Sequence, residues 1–448
     1  MKFTLRNVGP IREAHLELAR LTIVCGPNNV GKTYLTNGIS DFYRRVSKTC
    51  RIKVSEQFLP DSDVVSVDLS HYVHSVVDEV RQYARKYTAS SPLLHGGSLE
   101  IELDPAELPI DYPVPQTTWS MRIGGGAKFE VLKKGYVLTI KRRADVKEGD
   151  LPGEKDKVAQ WQAALNVIVN ANFFKQAYNG GVFSDVFPVT SERMGIVYFR
   201  DALDMAARTW RRGESDEKVE VSNEKMAPNN DLFPANVKSM LDFISWLGQR
   251  ERLHVSTPNA IDAVLQEPLI ELSGGGFSVE DGRILYAPSD RPELKLNVQE
   301  ISSSARSLFF LDEYIRSAAE KGDLLVIDEP EMNLHPSKVR KLARFVAKAV
   351  NAGLKAFITT HSDYFIRELN TLIMLRDDDA RMKEVSRKYG YESSELLSVK
   401  DVKGYVLADG VLKALPLSQE AGFEVASFDE SARAINAIQS EILFGGGM

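Results

Sequence analysis

The residues from Gly26 to Thr33 read GPNNVGKT, and those from Leu324 to Pro336 read LLVIDEPEMNLHP. The first string has the spacing G-x-x-x-x-G-K-[ST] and follows the apolar run Leu21–Cys25, so a strand feeds a loop that opens a helix. In such a loop the backbone N–H groups, here from Gly26 through Asn28, Asn29 and Gly31, wrap phosphate oxygens at the start of a helix. Lys32 is then placed to reach the outer phosphates of a nucleotide and Thr33 to ligate Mg²⁺. The second string is an apolar strand that ends in two acids. Asp328 is placed to hold the Mg²⁺, directly or through water. Glu329, one residue on, is placed to polarise an attacking water. A Gly-rich turn with an incidental lysine is the bland alternative for the first string, and the strand ending in Asp-Glu weighs against it.

The elements that must position these groups are legible in outline. Residues 2–7 and 21–24 read as strands, and residues 33–47 as the helix after the loop. That helix ends in a basic cluster of Arg44, Arg45, Lys48, Arg51 and Lys53, which reads as a solvated helix end in preference to a nucleic-acid contact. From about 50 to 265 the pattern changes to helical stretches at 76–87, 159–174, 195–212 and 237–247. Alternating strands occupy 99–103, 119–123, 129–132 and 136–141. Residues 145–157 read as a surface loop and 213–230 as a linker. After 265, short strands are expected to lead into a helix from about Ser304. The Asp328 strand, a helix over 337–351, a strand over 356–359, and closing strands and a helix then follow.

The 448 residues suffice for two or three domains, and 26% charged with 43% hydrophobic residues is ordinary for a globular protein. A net charge of −6 speaks against wholesale coating of nucleic acid but not against a local basic groove. No apolar run approaches the roughly 20 residues that span a bilayer, and no secretory leader is evident. Membrane partners are therefore not expected and a cytoplasmic location is. Cys25 and Cys50 make no disulfide framework, and Cys25 reads as a small buried thiol. His71 and His74 have H-x-x-H spacing without a third ligand nearby and read as surface histidines.

Taken in order, KFTLRNVGPIREAHLEL, GPNNVGKT, ISSSARSL, VIDEPEMNLHP and ITTHSD resemble the ABC-type ATPases of the RecF, SMC and OLD group. The resemblance covers residues 1–45 and 265–448, about half the chain. It implies an α/β fold: a P-loop ABC head, a mixed sheet with flanking helices, carrying an inserted α+β and helical region and no long coiled coil. The head would be split between residues 1–49 and 266–448, with 50–265 as the insert that carries partner or oligomer contacts. The resemblance further implies ATP and Mg²⁺ as bound groups. Ser303, with Ser302 and Ser304 close behind, stands where the family keeps its signature motif. There they would meet the γ-phosphate held by a second subunit, and Arg306 would add charge in trans. A plain helix cap is the alternative for these serines. His361 matches the family's switch histidine, while His335 fits an interface or structural role.

The chain departs from the family pattern in lacking the signature Gly-Gly pair and a placeable Q-loop glutamine, for which Gln57 and Gln82 are candidates. Leu272–Gly276 reads LSGGG, near the transporter signature, but lies 56 residues before Asp328 and precedes a hairpin pattern, so it reads as a turn. Arg193, in PVTSERMG, reads equally as facing the nucleotide or partner and as a structural salt bridge. Two chains are expected to pack head to tail as a homodimer or higher homo-oligomer. The further resemblance to compact ATPase subunits of anti-phage systems (Septu, retron-associated, PARIS-like) implies a separate effector, an HNH or Toprim-type nuclease. A RecF-like repair ATPase touching DNA directly is one alternative; Lys338, Arg340, Lys341, Arg344 and Lys348 on the helix over 337–351 would favour it as part of a continuous basic stripe, and read equally as a solvated face. A nucleotide-gated scaffold with little turnover is another.

Overall fold

Five consecutive apolar or small residues, Leu21–Cys25, are all buried, and they form the strand that carries the phosphate loop. A run apolar on both faces belongs in the middle of a sheet covered by helices. In the computed structural model the described residues are 1–54, 63–91, 94, 96–103, 117–123, 127–134, 137–143, 154–174, 185–200, 202–203, 234–252, 261–280, 283–377 and 379–424. The linker expected at 213–230, the surface loop at 145–157 apart from its last four residues, Gln57 and the closing helix fall outside them. The strands are β1 (Lys2–Val8), β2 (Ile11–Glu17), β3 (Leu21–Cys25), β4 (Val64–Asp68), β5 (Ser98–Glu102), β6 (Thr117–Ile123), β7 (Ala127–Lys134) and β8 (Val137–Arg143). They continue with β9 (Val186–Val189), β10 (Gly275–Glu280), β11 (Arg283–Pro288), β12 (Leu296–Asn297), β13 (Leu324–Asp328), β14 (Lys355–Thr360), β15 (Val402–Ala408) and β16 (Val411–Ala414).

The chain divides into two compact units. One comprises residues 1–8, 15–17 and 42–186. In it β1 pairs antiparallel with β5, and β4, β8, β7 and β6 form an antiparallel sheet in that order. The helix Glu154–Phe173 presents Trp161 edge-on to Phe129 of β7 at 5.1 Å between centroids, a geometry that suits the aromatic quadrupoles. Gln82 lies exposed on the helix Val73–Ser90, and His71 and His74 are exposed as well.

The second unit comprises residues 9–14, 18–41 and 187–448 and holds both chemical strings. Residues 187–265, placed by the sequence reading in the inserted lobe, fall here. Its sheet is mixed, in the order β2–β16–β15–β3–β14–β13–β9. β13 pairs parallel with β14, β14 with β3 and β3 with β15, and β15 pairs antiparallel with β16. Helices Phe309–Ser317, Pro336–Asn351 and Asp363–Met374 bury their apolar faces in the core of this unit. This is an α/β arrangement, a mixed sheet with flanking helices.

One stretch differs from expectation. A helix, Asp262–Ser273, precedes β10 where short strands were expected, because Leu265, Leu269 and Leu272 recur at helical spacing and are buried. Gly274 ends it in the left-handed conformation at φ 78°, which glycine adopts without a Cβ penalty. The LSGGG string is thus a helix end running into β10. It is not a signature helix, and β10 pairs antiparallel with β11 as the hairpin pattern predicts.

Candidate nucleotide site

The loop between β3 and the helix Lys32–Thr49 places Asn29 at φ 64° and Gly31 at φ 106°. Alternating hands of backbone turn successive N–H groups toward one concavity, the geometry of an anion nest. A Cβ at Gly31 would sit 2.8 Å from Pro10 Cγ and 3.0 Å from Ile11 Cγ1, so the loop closes only on glycine. Lys32, 5% exposed, lies along the loop with its Nζ donating to Gly26 O (3.0 Å) and Pro27 O (2.8 Å). Beside it is a cavity of about 450 Å³ lined by Pro10, Asn28, Asn29, Gly31, Lys32, Thr33, Tyr34 and Glu329.

Parallel pairing of β13, β14 and β3 brings the ends of the two chemical strings together. Thr33 Oγ1 donates to Asp328 Oδ2 at 2.8 Å, and Thr359 of β14 donates to the other oxygen, Asp328 Oδ1. A hydroxyl and a carboxylate converging beside a phosphate loop are hard oxygen donors, a set that fits Mg²⁺ completed by phosphate oxygens and water. Among the described residues no cluster of three or more His, Cys, Asp or Glu is placed to hold a metal ion.

Glu329 has φ 50°, a left-handed conformation uncommon for a residue with a side chain. Its surroundings hold it there. Its N–H donates to Thr359 O at 3.0 Å, and its carbonyl accepts from Met332 N and from Arg193. Arg193 is 2% exposed. It donates to Thr190 O, Ser307 O and Asp328 O (3.1 Å each), to Glu329 O (2.9 Å) and to Pro330 O (3.5 Å). Burial pushes its pKa below the ordinary arginine value, opposed by the charges of Glu331, Asp328 and Glu329. Arg193 therefore faces the backbone of the Asp328–Pro330 turn. Of the two readings raised by the sequence, the structural one is closer, with backbone carbonyls in place of the expected salt-bridge carboxylate.

His361 follows β14 and lies with Nδ1 3.6 Å from Glu329 Oε1 and 3.5 Å from Glu331 Oε1. His335 caps the helix Pro336–Asn351, accepting from Ser337 N at 3.3 Å. Ser302 accepts from Ala305 N at 3.2 Å as the cap of the short helix Ser303–Arg306, and both Ser302 and Ser303 are exposed. Arg306, expected to supply charge in trans, is turned inward: it donates to Val298 O, Gln299 O and Ile301 O and lies over the Tyr198 ring.

Four of the five cations on the helix Pro336–Asn351 are engaged within the chain. Arg340 pairs with Glu368, Lys341 with Glu271, Arg344 with Glu395, and Lys348 with Glu392 and Glu395. The basic stripe considered for DNA is to that extent neutralised by acids from other elements. Sequence reasoning passed over Thr359 and Glu331. Their signals were present, as two threonines ending an apolar strand and as a third acid in DEPE.

Comparison with known proteins bears on this geometry. Residues 272–367 match a family model described as an AAA domain, putative AbiEii toxin, Type IV TA system. A curated relative, the uncharacterized ABC transporter ATP-binding protein YhaQ of Bacillus subtilis (strain 168), is 23% identical over 134 residues. That alignment takes in 29% of this chain and 45% of the relative, so it spans less than half of that protein's length. Among solved structures, the SMC head domain from Thermotoga maritima aligns over 93% of this chain and 98% of its own, at 11% identity and a TM-score of 0.30. An Smc head domain with an extended coiled coil, bound to the C-terminal domain of ScpA and derived from Pyrococcus furiosus, aligns over 98% of both chains at 12% identity and a TM-score of 0.32. The family match covers residues 272–367, about a fifth of the chain, and with the sequence match it is a similarity to AAA and ABC-type ATP-binding domains over part of the chain.

Proposed function

We propose that this chain binds and hydrolyses ATP with Mg²⁺ and uses the cycle as a switch between two assembly states. The observation that carries the reading is the Thr33–Asp328 contact beside a cavity that Lys32 and Glu329 also line. Bound Mg²⁺ would draw charge from the outer phosphates, and Thr33 and Asp328 would hold it. The loop N–H groups and Lys32 bind and orient those phosphates. Glu329 accepts a proton from water as its oxygen attacks the terminal phosphorus and the bond to the bridging oxygen breaks. His361, beside Glu329, contacts the same phosphate. Ser302 and Ser303, exposed at a helix start, complete the site of a second copy packed head to tail, so ATP favours the closed dimer and its hydrolysis the open one.

The finer role rests on the family resemblance. The chain is the regulatory subunit of an anti-phage defence complex, and its nucleotide state controls a separate effector nuclease. Three samples test the scheme: wild type, Lys32→Ala and Glu329→Gln, each purified with the products of neighbouring genes and with ATP present. Support is an ATP-dependent dimer trapped by Glu329→Gln and a co-purifying nuclease whose activity follows the trap. ATP hydrolysis stimulated by DNA ends with no co-purifying protein would replace the defence role with DNA repair.

A further inference from the structure

Glu331 has no part in the hydrolytic scheme above, yet it lies beside His361 and is nearly buried, with 9% of its side chain exposed, two residues beyond Glu329. Its Oε1 accepts from Thr360 Oγ1 and from the His361 backbone N–H, both at 2.9 Å. The same oxygen lies 3.5 Å from His361 Nδ1. Its Oε2 is buried with no hydrogen-bond partner among the described residues. A carboxylate oxygen buried without a hydrogen-bond partner is costly, and the charge of the buried Arg193 guanidinium offsets part of that cost. Glu329, 24% exposed, lies 3.6 Å from the same nitrogen. Two carboxylates thus flank one Nδ1. Glu331 is fixed by two hydrogen bonds, and Glu329 is the more exposed and less anchored of the two.

We infer that Glu331 is a positioning residue: its carboxylate holds the Nδ1 side of His361, which leaves Nε2 for the phosphate and keeps Glu329 free for water. The partner on one ring nitrogen fixes what the other can do. Without the charge at Glu331, His361 pairs with Glu329 and ties up the base. The inference rests on the hydrolytic reading above for its consequence, but not for the contact itself.

Glu331→Gln is the decisive variant. It keeps an oxygen to accept from Thr360 and from the His361 N–H, and it removes the charge. Measured by steady-state ATP hydrolysis, kcat falls about tenfold while KM stays within about twofold, the range usual for a group that orients a functional histidine. In a His361→Ala background the same substitution changes kcat less than about twofold, because its effect runs through His361. An unchanged kcat, or an equal fall in the His361→Ala background, overturns the inference.

A second readout is independent of turnover. In protein labelled with ¹⁵N-histidine, the His361 ring resonances, assigned by their loss in His361→Ala, shift in Glu331→Gln at unchanged thermal stability. Resonances that do not move overturn it as well. If wild type hydrolyses no ATP, the hydrolytic reading falls while the spectra still decide the contact.

Discussion

Replacing Arg193 with alanine is the most informative single change. The guanidinium is almost fully buried, and its hydrogen bonds reach the carbonyls of residues 328–330 and of Ser307 at the end of the short serine helix. Thr190 O and Glu329 O keep backbone partners when it is removed, from Arg193 N and Met332 N. The 3.5 Å contact to Pro330 contributes little. Ser307 O and Asp328 O each lose a charged donor at 3.1 Å, and such bonds contribute about 1.5–3 kcal/mol each. Relief of the desolvated cation offsets part of the sum, so the net loss of stability should be about 3 kcal/mol. The catalytic consequence is larger in proportion. Glu329 sits at φ 50° only because its neighbours fix it, and a shift of about 1 Å in a catalytic group lowers turnover about a hundredfold. Urea unfolding read by fluorescence, with phosphate release measured far below the transition, separates the two effects. Arg193→Lys, which keeps charge but not the fork, falls between wild type and alanine. A loss under about 1 kcal/mol together with undiminished turnover would refute the reasoning.

Further outcomes follow from the same geometry. Lys32→Ala weakens nucleotide binding about 10- to 100-fold by calorimetry, as expected for the loss of a charge-assisted contact, with the fold retained. Thr359→Val removes the donor to Asp328 Oδ1 and raises the Mg²⁺ concentration for half-maximal hydrolysis about tenfold, while nucleotide affinity measured without Mg²⁺ stays near wild type. Asp312, fully buried beside Arg316, has its carboxyl raised by desolvation from 3.8 to about 6. A raised acid binds its proton more tightly in the folded chain, so its contribution to stability falls as pH rises from about 4 to 6 and is flat above. Unfolding midpoints across that range should show this fall in wild type and lose it in Asp312→Asn.

How much of this was legible in the sequence depends on range. The phosphate loop, the Asp328 strand and the β10–β11 hairpin are local patterns, and local spacing fixes them. The meeting of Thr33 with Asp328 is a contact 295 residues apart in the chain, and it follows only once the two apolar strands are read as members of one parallel sheet. The sequence leaves Arg193 between a nucleotide or partner contact and a structural salt bridge, because the string PVTSERMG does not report what surrounds its side chain. Only the tertiary structure shows that its fork fills a space lined by carbonyls. The basic face of Pro336–Asn351 is left open for a related reason. Its partners Glu271, Glu368 and Glu395 come from separate elements, and no periodicity within the helix reports them. The helix before β10 was missed because Gly-Gly-Gly drew attention to a turn, whereas the first of those glycines is the helix's own left-handed cap.

The most direct test of the central claim is phosphate release from Mg-ATP by the purified chain, set beside Glu329→Gln. The account predicts turnover in wild type that requires Mg²⁺. It also predicts a fall of about 10²- to 10⁴-fold in Glu329→Gln, with ATP still bound at wild-type affinity. Equal rates in the two proteins, or no turnover in wild type under conditions where ATP is bound, would contradict it.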